Sequence, residues 1–322
     1  MTIVLALLLL QPKVDPAKVD LAVKAGVRYV RAQAEKKSGR TPEAGELILL
    51  TLWHAGVRKG DALFDALLKS ALEGELQTTY RTALQAMALE AIDRVAYQKR
   101  IFQCAQFLVD NQCPNGQWSY GSSTYYPEPE PDYETGKLRV KKQRDGKDHG
   151  DHSNGQFAAL GLRACHDAGI VFPPEVLRKA AIAWRESSSE GGWNYGPKGN
   201  PPYGSMTVGG VAALAIYDRL LGLDATKDTD LAGGLAWLRN HYSVIQNPGR
   251  NHQHHLYYLW GLERACGATG TDVIGKADWY AEGATHLLAT QAADGSWKKS
   301  PLDTCYAILF LKRATRPLVE KK

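Results

Sequence analysis

Gln112-Cys-Pro-Asn-Gly-Gln-Trp118 and Gln291-Ala-Ala-Asp-Gly-Ser-Trp297 both read Q-x3-G-x-W. A third stretch, Ser187-Ser-Ser-Glu-Gly-Gly-Trp193, keeps the glycine and the tryptophan but carries serine in place of glutamine. Glycine at the fifth position supplies a turn with positive φ. The indole offers a large flat surface, and a glutamine amide beside it can bond the carbonyls and N–H groups that helix ends leave without partners. Gln112, Gly116, Trp118, Trp193, Gln291, Gly295 and Trp297 are therefore structural candidates, marking turns between helices.

Working outward, the segments before these turns are amphipathic and contain an aromatic–aliphatic or similar pair: Tyr29-Val30, Phe107-Leu108, Trp237-Leu238 and His286-Leu287. Phe64 and Trp184 sit in weaker versions. A small residue stands three or four positions earlier (Gly26, Cys104, Gly234, Gly283), where it would let helices approach closely. The segments after them are rich in Ala, Leu and Gly and nearly uncharged: 42–56, 78–92, 154–169, 205–221, 252–267 and 302–314. A helix apolar on all sides is a buried one. Repetition at 35–55 residues with alternating half-polar and apolar helices predicts two concentric layers. The fold class read here is all-α, an (α/α)6 toroid occupying residues 15–315 as one domain. Residues 119–150 form an inserted lid or disordered loop, and 316–322 a tail.

Residues 1–14 read either as a first helix or as a signal remnant. The apolar run Ile3–Leu10 is too short to span a bilayer. It resembles the core of an export signal without a preceding basic residue or a small-x-small cleavage site. The expectation leans towards an exported, periplasmic protein, with membrane association not indicated by any spanning helix.

The Q-x3-G-x-W turns resemble the QW repeats of the squalene and oxidosqualene cyclase superfamily, which includes the related protein prenyltransferase β-subunits. The resemblance covers Tyr29 to Phe310. It implies the toroid, and it implies that functional residues cluster at the N-terminal ends of the inner helices, around one mouth. There the chain carries Tyr80, Arg81, Gln156, Thr207, His254, His255 and Tyr257 as candidate ligand-binding residues. Aromatic residues such as Tyr80, Tyr203, Tyr257 and Trp260 could stabilise a cation by their π faces.

Cyclases of this kind protonate an alkene with the middle aspartate of a D-x-D-D motif. The matching helix here opens Asp151-His152-Ser153-Asn154. Asp151 falls on the first acid, Ser153 replaces the proton donor and Asn154 the last aspartate. These four are the candidate catalytic residues at the cavity rim, yet neither Ser153 nor Asn154 can protonate a C=C bond. Asp151 and Ser153 also fit a helix-capping role.

Prenyltransferases hold zinc with an Asp-x-Cys and a histidine on a neighbouring inner helix. Asp303-Thr-Cys305-Tyr306 with His255 resembles that set and makes a candidate zinc site, although the histidine helix precedes the Asp-x-Cys where the family has it following. Capping by Asp303 and packing by Cys305 is the plainer reading, and no cofactor is the leading expectation. His149 and His152 form a second candidate pair.

Other chemistry is excluded more directly. A formal charge of +5, with one basic stretch at Lys137–Lys147, is too little for a nucleic-acid footprint. Five cysteines without a C-x-x-C pair indicate buried free thiols. No phosphate loop, G-x-S-x-G or H-E-x-x-H occurs. Glu43 and Glu46 could supply the paired carboxylates of a glycosidase on the same toroid. The reading is therefore a cyclase- or prenyltransferase-like toroid taking a small hydrophobic, isoprenoid-type ligand, with standard cyclisation in doubt. A non-catalytic binding or scaffold protein and a carbohydrate-active enzyme are the alternatives.

Overall fold

The computed structural model describes residues 14–36, 44–131, 135–196, 200–315 and 317–318. The apolar N-terminal run, Glu43 and most of the tail lie outside them. Twelve α-helices account for the described architecture, in six outer–inner pairs. The inner helices are α2 (Gly45–His54), α4 (Thr79–Asp93), α6 (His152–Asp167), α8 (Gly204–Leu220), α10 (His255–Thr269) and α12 (Pro301–Leu311). Each packs on the next, and α12 packs on α2, so the ring closes. Outside them run α1 (Pro16–Lys36), α3 (Ala62–Glu73), α5 (Gln98–Asp110), α7 (Pro174–Ser187), α9 (Thr229–His241) and α11 (Trp279–Thr290). The described residues form an all-α toroid, a double ring of six inner and six outer helices.

Local chemistry explains where the helices begin. Asp61, Asp228 and Asp278 accept hydrogen bonds from first-turn N–H groups of α3, α9 and α11, and Ser300 does so for α12. Such caps contribute about 1 kcal/mol each. Inner helices are buried on nearly every side; in α8, Gly204 through Asp218 are all buried. Outer helices bury one stripe, as in α3, where only Phe64, Leu67, Leu68 and Ala71 are covered.

The Gln–Trp turns bind one helix pair to the next. Each indole N–H donates to a carbonyl near the end of the preceding outer helix: Trp118 to Leu108 (2.7 Å), Trp193 to Trp184 (2.8 Å) and Trp297 to Leu287 (2.9 Å). The Gln112 amide donates to Gly116 within its turn and to Val176 in α7. Gln291 repeats this with Gly295 and with Ala22 in α1. Gly295 has φ +87°, and a Cβ there would lie 2.4 Å from the Ala25 carbonyl oxygen. Only glycine fits this contact. In the third turn Ser187 is too short to reach α9 and instead back-bonds to Ala183 in its own helix.

Three details differ from the sequence reading. The fifth inner helix starts at His255 instead of residue 252, because His254 adopts a left-handed φ of 52°. A two-residue parallel pairing joins β1 (Leu138–Arg139) to β2 (Ile170–Val171). The described parts of the 119–150 insertion are fastened down, not free: Asp110 of α5 accepts from the Gln143 backbone N–H and from the Thr124 hydroxyl, and Arg144 donates to Asn111 and Ser122.

Candidate ligand-binding site

The start of α6 is the first place to look for an acid. Asp151 is its N-cap: one carboxylate oxygen accepts from the Asn154 backbone N–H (2.8 Å) and the other from the Asn154 side-chain amide (2.9 Å). Both oxygens are taken up by Asn154, which donates twice, the arrangement of a helix cap. His152 is turned away from the barrel axis, stacked on Trp184 of α7 with ring centroids 4.6 Å apart. Its Nδ1 faces the Asn194 carbonyl oxygen at 2.6 Å and its Nε2 the Ser187 hydroxyl at 2.8 Å. A carbonyl only accepts, so Nδ1 carries the proton; in this neutral tautomer Nε2 competes with the Ala183 carbonyl for the one proton of the Ser187 hydroxyl. Burial pushes the imidazole pKa below its ordinary value, which favours this neutral form. Ser153 is half-buried and faces the Tyr257 phenol.

The barrel axis is filled by rings. Phe157 of α6 meets Tyr80 edge-on at 6.2 Å and stacks on Tyr257 at 6.1 Å. Trp260 stacks on Tyr306 of α12 at 5.1 Å. Over the face of Trp260 lies the Arg264 guanidinium, 3.6 Å from the ring centroid. Arg264 is 2 % exposed, and burial lowers its pKa. It donates through Nη2 to the Gln156 side-chain oxygen at 3.2 Å. An α-helical side chain leans towards the helix N-terminus, so Arg264 reaches back to the level of Gln156 and Trp260. Arg264, Phe157 and Tyr306 were not among the sequence candidates. The available signal was Glu263-Arg264, a charged pair inside an otherwise apolar inner helix.

Other candidates have structural partners. Arg81 makes a forked ion pair with Glu46 across α4 and α2, at 2.9 Å. Glu46 is thereby engaged, and its proposed companion Glu43 lies outside the described residues. The Thr207 hydroxyl accepts from the Trp193 backbone N–H at 3.1 Å, as Thr304 does for Trp297; it anchors a turn. His254 is exposed at the left-handed N-cap of α10. His255 is buried, its Nε2–H donating to the Val244 carbonyl at 2.9 Å, and burial lowers its pKa to about 4.

The proposed zinc set is not assembled. Among the described residues no three His, Cys, Asp or Glu side chains gather as metal ligands. Cys305 is fully buried, its thiol beside Thr51 of α2 and its pKa pushed up to about 12 by burial. His255 has its Nε2 committed to Val244, and Asp303 lies in the first turn of α12. Asp303, Cys305 and His255 therefore do not fit a zinc ion, and His152 of the second pair has both nitrogens engaged.

Two of the cavities adjoin the candidate residues. A cavity of about 70 Å3 opens at the C-terminal mouth and is lined by Leu50, Met87, Leu160, Trp260 and Leu309, with Arg163 and Asp167 also in its wall. A more open groove of about 520 Å3 runs outside the ring between Gln117, Asp151, Glu186 and Tyr195. The first reaches the axial Trp260 and mixes apolar side chains with His54, Glu90 and Thr315; the second is peripheral.

No protein-family model matches the chain, and no curated protein matches it in sequence. Solved structures do share its fold. The type II terpene cyclase MstE from Scytonema superposes with a TM-score of 0.57 at 13% identity, covering 92% of this chain and 99% of that one. A variant of that enzyme in complex with geranylgeranyl dihydroxybenzoate, its substrate, gives 0.58 at 13% identity over 93% and 98%. A possible member of the GH105 family from Salmonella enterica gives 0.56 at 11% identity over 97% and 98%.

Proposed function

We propose that this toroid binds a small, mainly apolar, isoprenoid-type ligand in its barrel and does not carry out acid-initiated cyclisation. The observation that carries the second half is the start of α6, where both Asp151 oxygens accept hydrogen bonds from Asn154. An alkene is protonated only by a carboxylic acid held neutral and activated by its neighbours. Ser153 and neutral His152 are far too weak to replace it. The first half is supported by the Leu50, Met87, Leu160, Trp260 and Leu309 side chains in the cavity wall and by the isoprenoid substrate of a terpene cyclase with this fold. The rings packed along the axis limit the ligand to a short chain or to one end of a longer one.

The test is to incubate the purified protein with squalene and with geranylgeranyl diphosphate and analyse the products by mass spectrometry. In parallel, binding of short isoprenols is followed by tryptophan fluorescence. Binding without cyclic product is expected. Cyclisation that Asp151→Asn abolishes would overturn the proposal by showing that the acid has shifted by two positions. Absence of any binding would favour the scaffold reading, to which the filled axis also points.

A further inference from the structure

Along the barrel axis one set of buried polar groups is left over. Arg264 Nε and Nη1, the Gln156 side-chain nitrogen and the Tyr257 hydroxyl have no hydrogen-bond partner among the described residues. The Gln156 orientation is fixed chemically: a guanidinium has no acceptor, so the amide oxygen must face Arg264 and the amide N–H2 is left free. Three of the four leftover groups are thus obligate donors, and the fourth can donate. They lie on α10 and α6, around the Trp260 face. No carboxylate forms an ion pair with Arg264 among the described residues. Its sequence neighbour Glu263 uses its two oxygens on the Thr315 backbone N–H and hydroxyl.

A buried cation that faces one amide oxygen, a neutral phenol and a π face, with no carboxylate to pair it, is costly in a folded protein. An evolved core would ordinarily hold an apolar side chain at this position. Unpaired buried donors become favourable when an oxyanion meets them, because charge-assisted hydrogen bonds in a dry site are strong. Trp260, the ring that carries the guanidinium, is one of the residues lining the cavity at the C-terminal mouth.

We infer that the barrel interior is an oxyanion site: Arg264, Gln156 and Tyr257 receive a carboxylate or phosphate group whose apolar chain lies in the cavity beside Leu50, Met87, Leu160 and Leu309. This rests on the reading of the barrel as a ligand-binding interior and adds to it the chemistry of the head group. Cation–π contact with Trp260 keeps the guanidinium in place before the anion arrives. The neighbouring rings hold it in one orientation.

Binding to the full chain is measured calorimetrically with four probes: sodium decanoate, decyl phosphate, the neutral decan-1-ol, and inorganic phosphate. Decanoate or decyl phosphate is expected to bind at least about tenfold more tightly than decanol. Arg264→Met should bring the anionic amphiphiles down to the level of decanol and leave the unfolding temperature of the ligand-free protein unchanged or higher. Tyr257→Phe, which keeps the ring, should weaken them by a smaller factor without affecting decanol. If inorganic phosphate binds as tightly as decyl phosphate, the site takes a free anion and the apolar chain plays no part. Equal affinity for decanol and decanoate, unaltered in Arg264→Met, overturns the oxyanion site and leaves the apolar cavity standing. If none of the four binds, the ligand-binding reading itself fails. Should Arg264→Met not fold, Arg264→Lys keeps the charge, and the ratio of decanoate to decanol affinity in Tyr257→Phe and Arg264→Lys decides the matter.

Discussion

The Gln291 side-chain amide lies 2.9 Å from the carbonyl oxygen of Ala22, 269 residues earlier in the chain. That bond ties the last outer–inner turn to the first helix, and the Trp297 ring packs beside it, 3.1 Å from where a Cβ on Gly26 would stand. The ring is therefore closed by the same turn chemistry that joins α5 to α7 through Gln112 and Val176.

Trp297→Ala should cost about 3–5 kcal/mol of stability, since the indole is fully buried and its removal leaves a large cavity. Gln291→Ala should cost about 1 kcal/mol by removing two hydrogen bonds to carbonyls. Gly295→Ala should exceed Gln291→Ala, because an alanine at positive φ would press its Cβ into the Ala25 carbonyl. Chemical denaturation midpoints of the three variants give the order directly.

Removing one partner of the Glu46–Arg81 pair leaves a largely buried charge alone. Arg81→Met should therefore be more harmful than the double change with Glu46→Leu, which removes both charges. The Glu46 side chain is 10% exposed and that of Arg81 32%, so the difference should be modest, on the order of 1–2 kcal/mol. A double-mutant cycle measures it, and additive effects of the two single changes would refute the coupling.

His255 should make a contribution to stability that acid removes, opposed by Glu263 and Asp218, whose carboxyl pKa values burial raises to about 7 and about 6. His255 has a pKa of about 4 in the folded protein against an ordinary 6.5, and burial also holds His152 below its ordinary value. Between those pH values the His255 imidazole binds more protons in the unfolded chain than in the folded one, so its contribution to stability falls as pH drops from about 6.5 towards 4. Above 6.5 both states carry neutral imidazole and the contribution is fully present. His255 alone should account for about 2–3 kcal/mol across this window. His255→Gln removes this contribution, so the variant should lose less stability than the parent, or gain more, between about pH 6.5 and 4; an unchanged curve would show that His255 does not contribute to it.

Asp151→Asn should lower stability by no more than about 1 kcal/mol, because asparagine also caps helices well. Asp151→Ala should cost more, by about 1 kcal/mol over Asp151→Asn. If Asp151 served as an acid and not as a cap, the two variants would be equally inactive in turnover and nearly equal in thermal unfolding.

Much of the fold was legible in the chain because it is written in local chemistry. Gln112-x3-Gly116-x-Trp118 and Gln291-x3-Gly295-x-Trp297 specify a turn, a capping amide and a buried ring within seven residues, and the apolar helices between them show no polar face. Capping by Asp151 was legible for the same reason: its partners stand three residues away. The expectation that standard cyclisation is in doubt rests on the identities of Ser153 and Asn154, which the sequence gives directly. The sequence could not show that Asp303, Cys305 and His255 fail to meet, since metal ligation depends on where three helices aim their side chains. Nor could it single out Arg264. A lone arginine in a helix is ordinarily a solvated surface group. Only the closure of α12 on α2 put this one inside a ring, 2% exposed, with Trp260 beneath it and Gln156 as its sole side-chain acceptor among the described residues. The chain by itself determined the helices and the turns that pair them, through contacts a few residues apart. The tertiary structure decided which side chains share the axis, because that depends on six helix rotations being fixed together by packing.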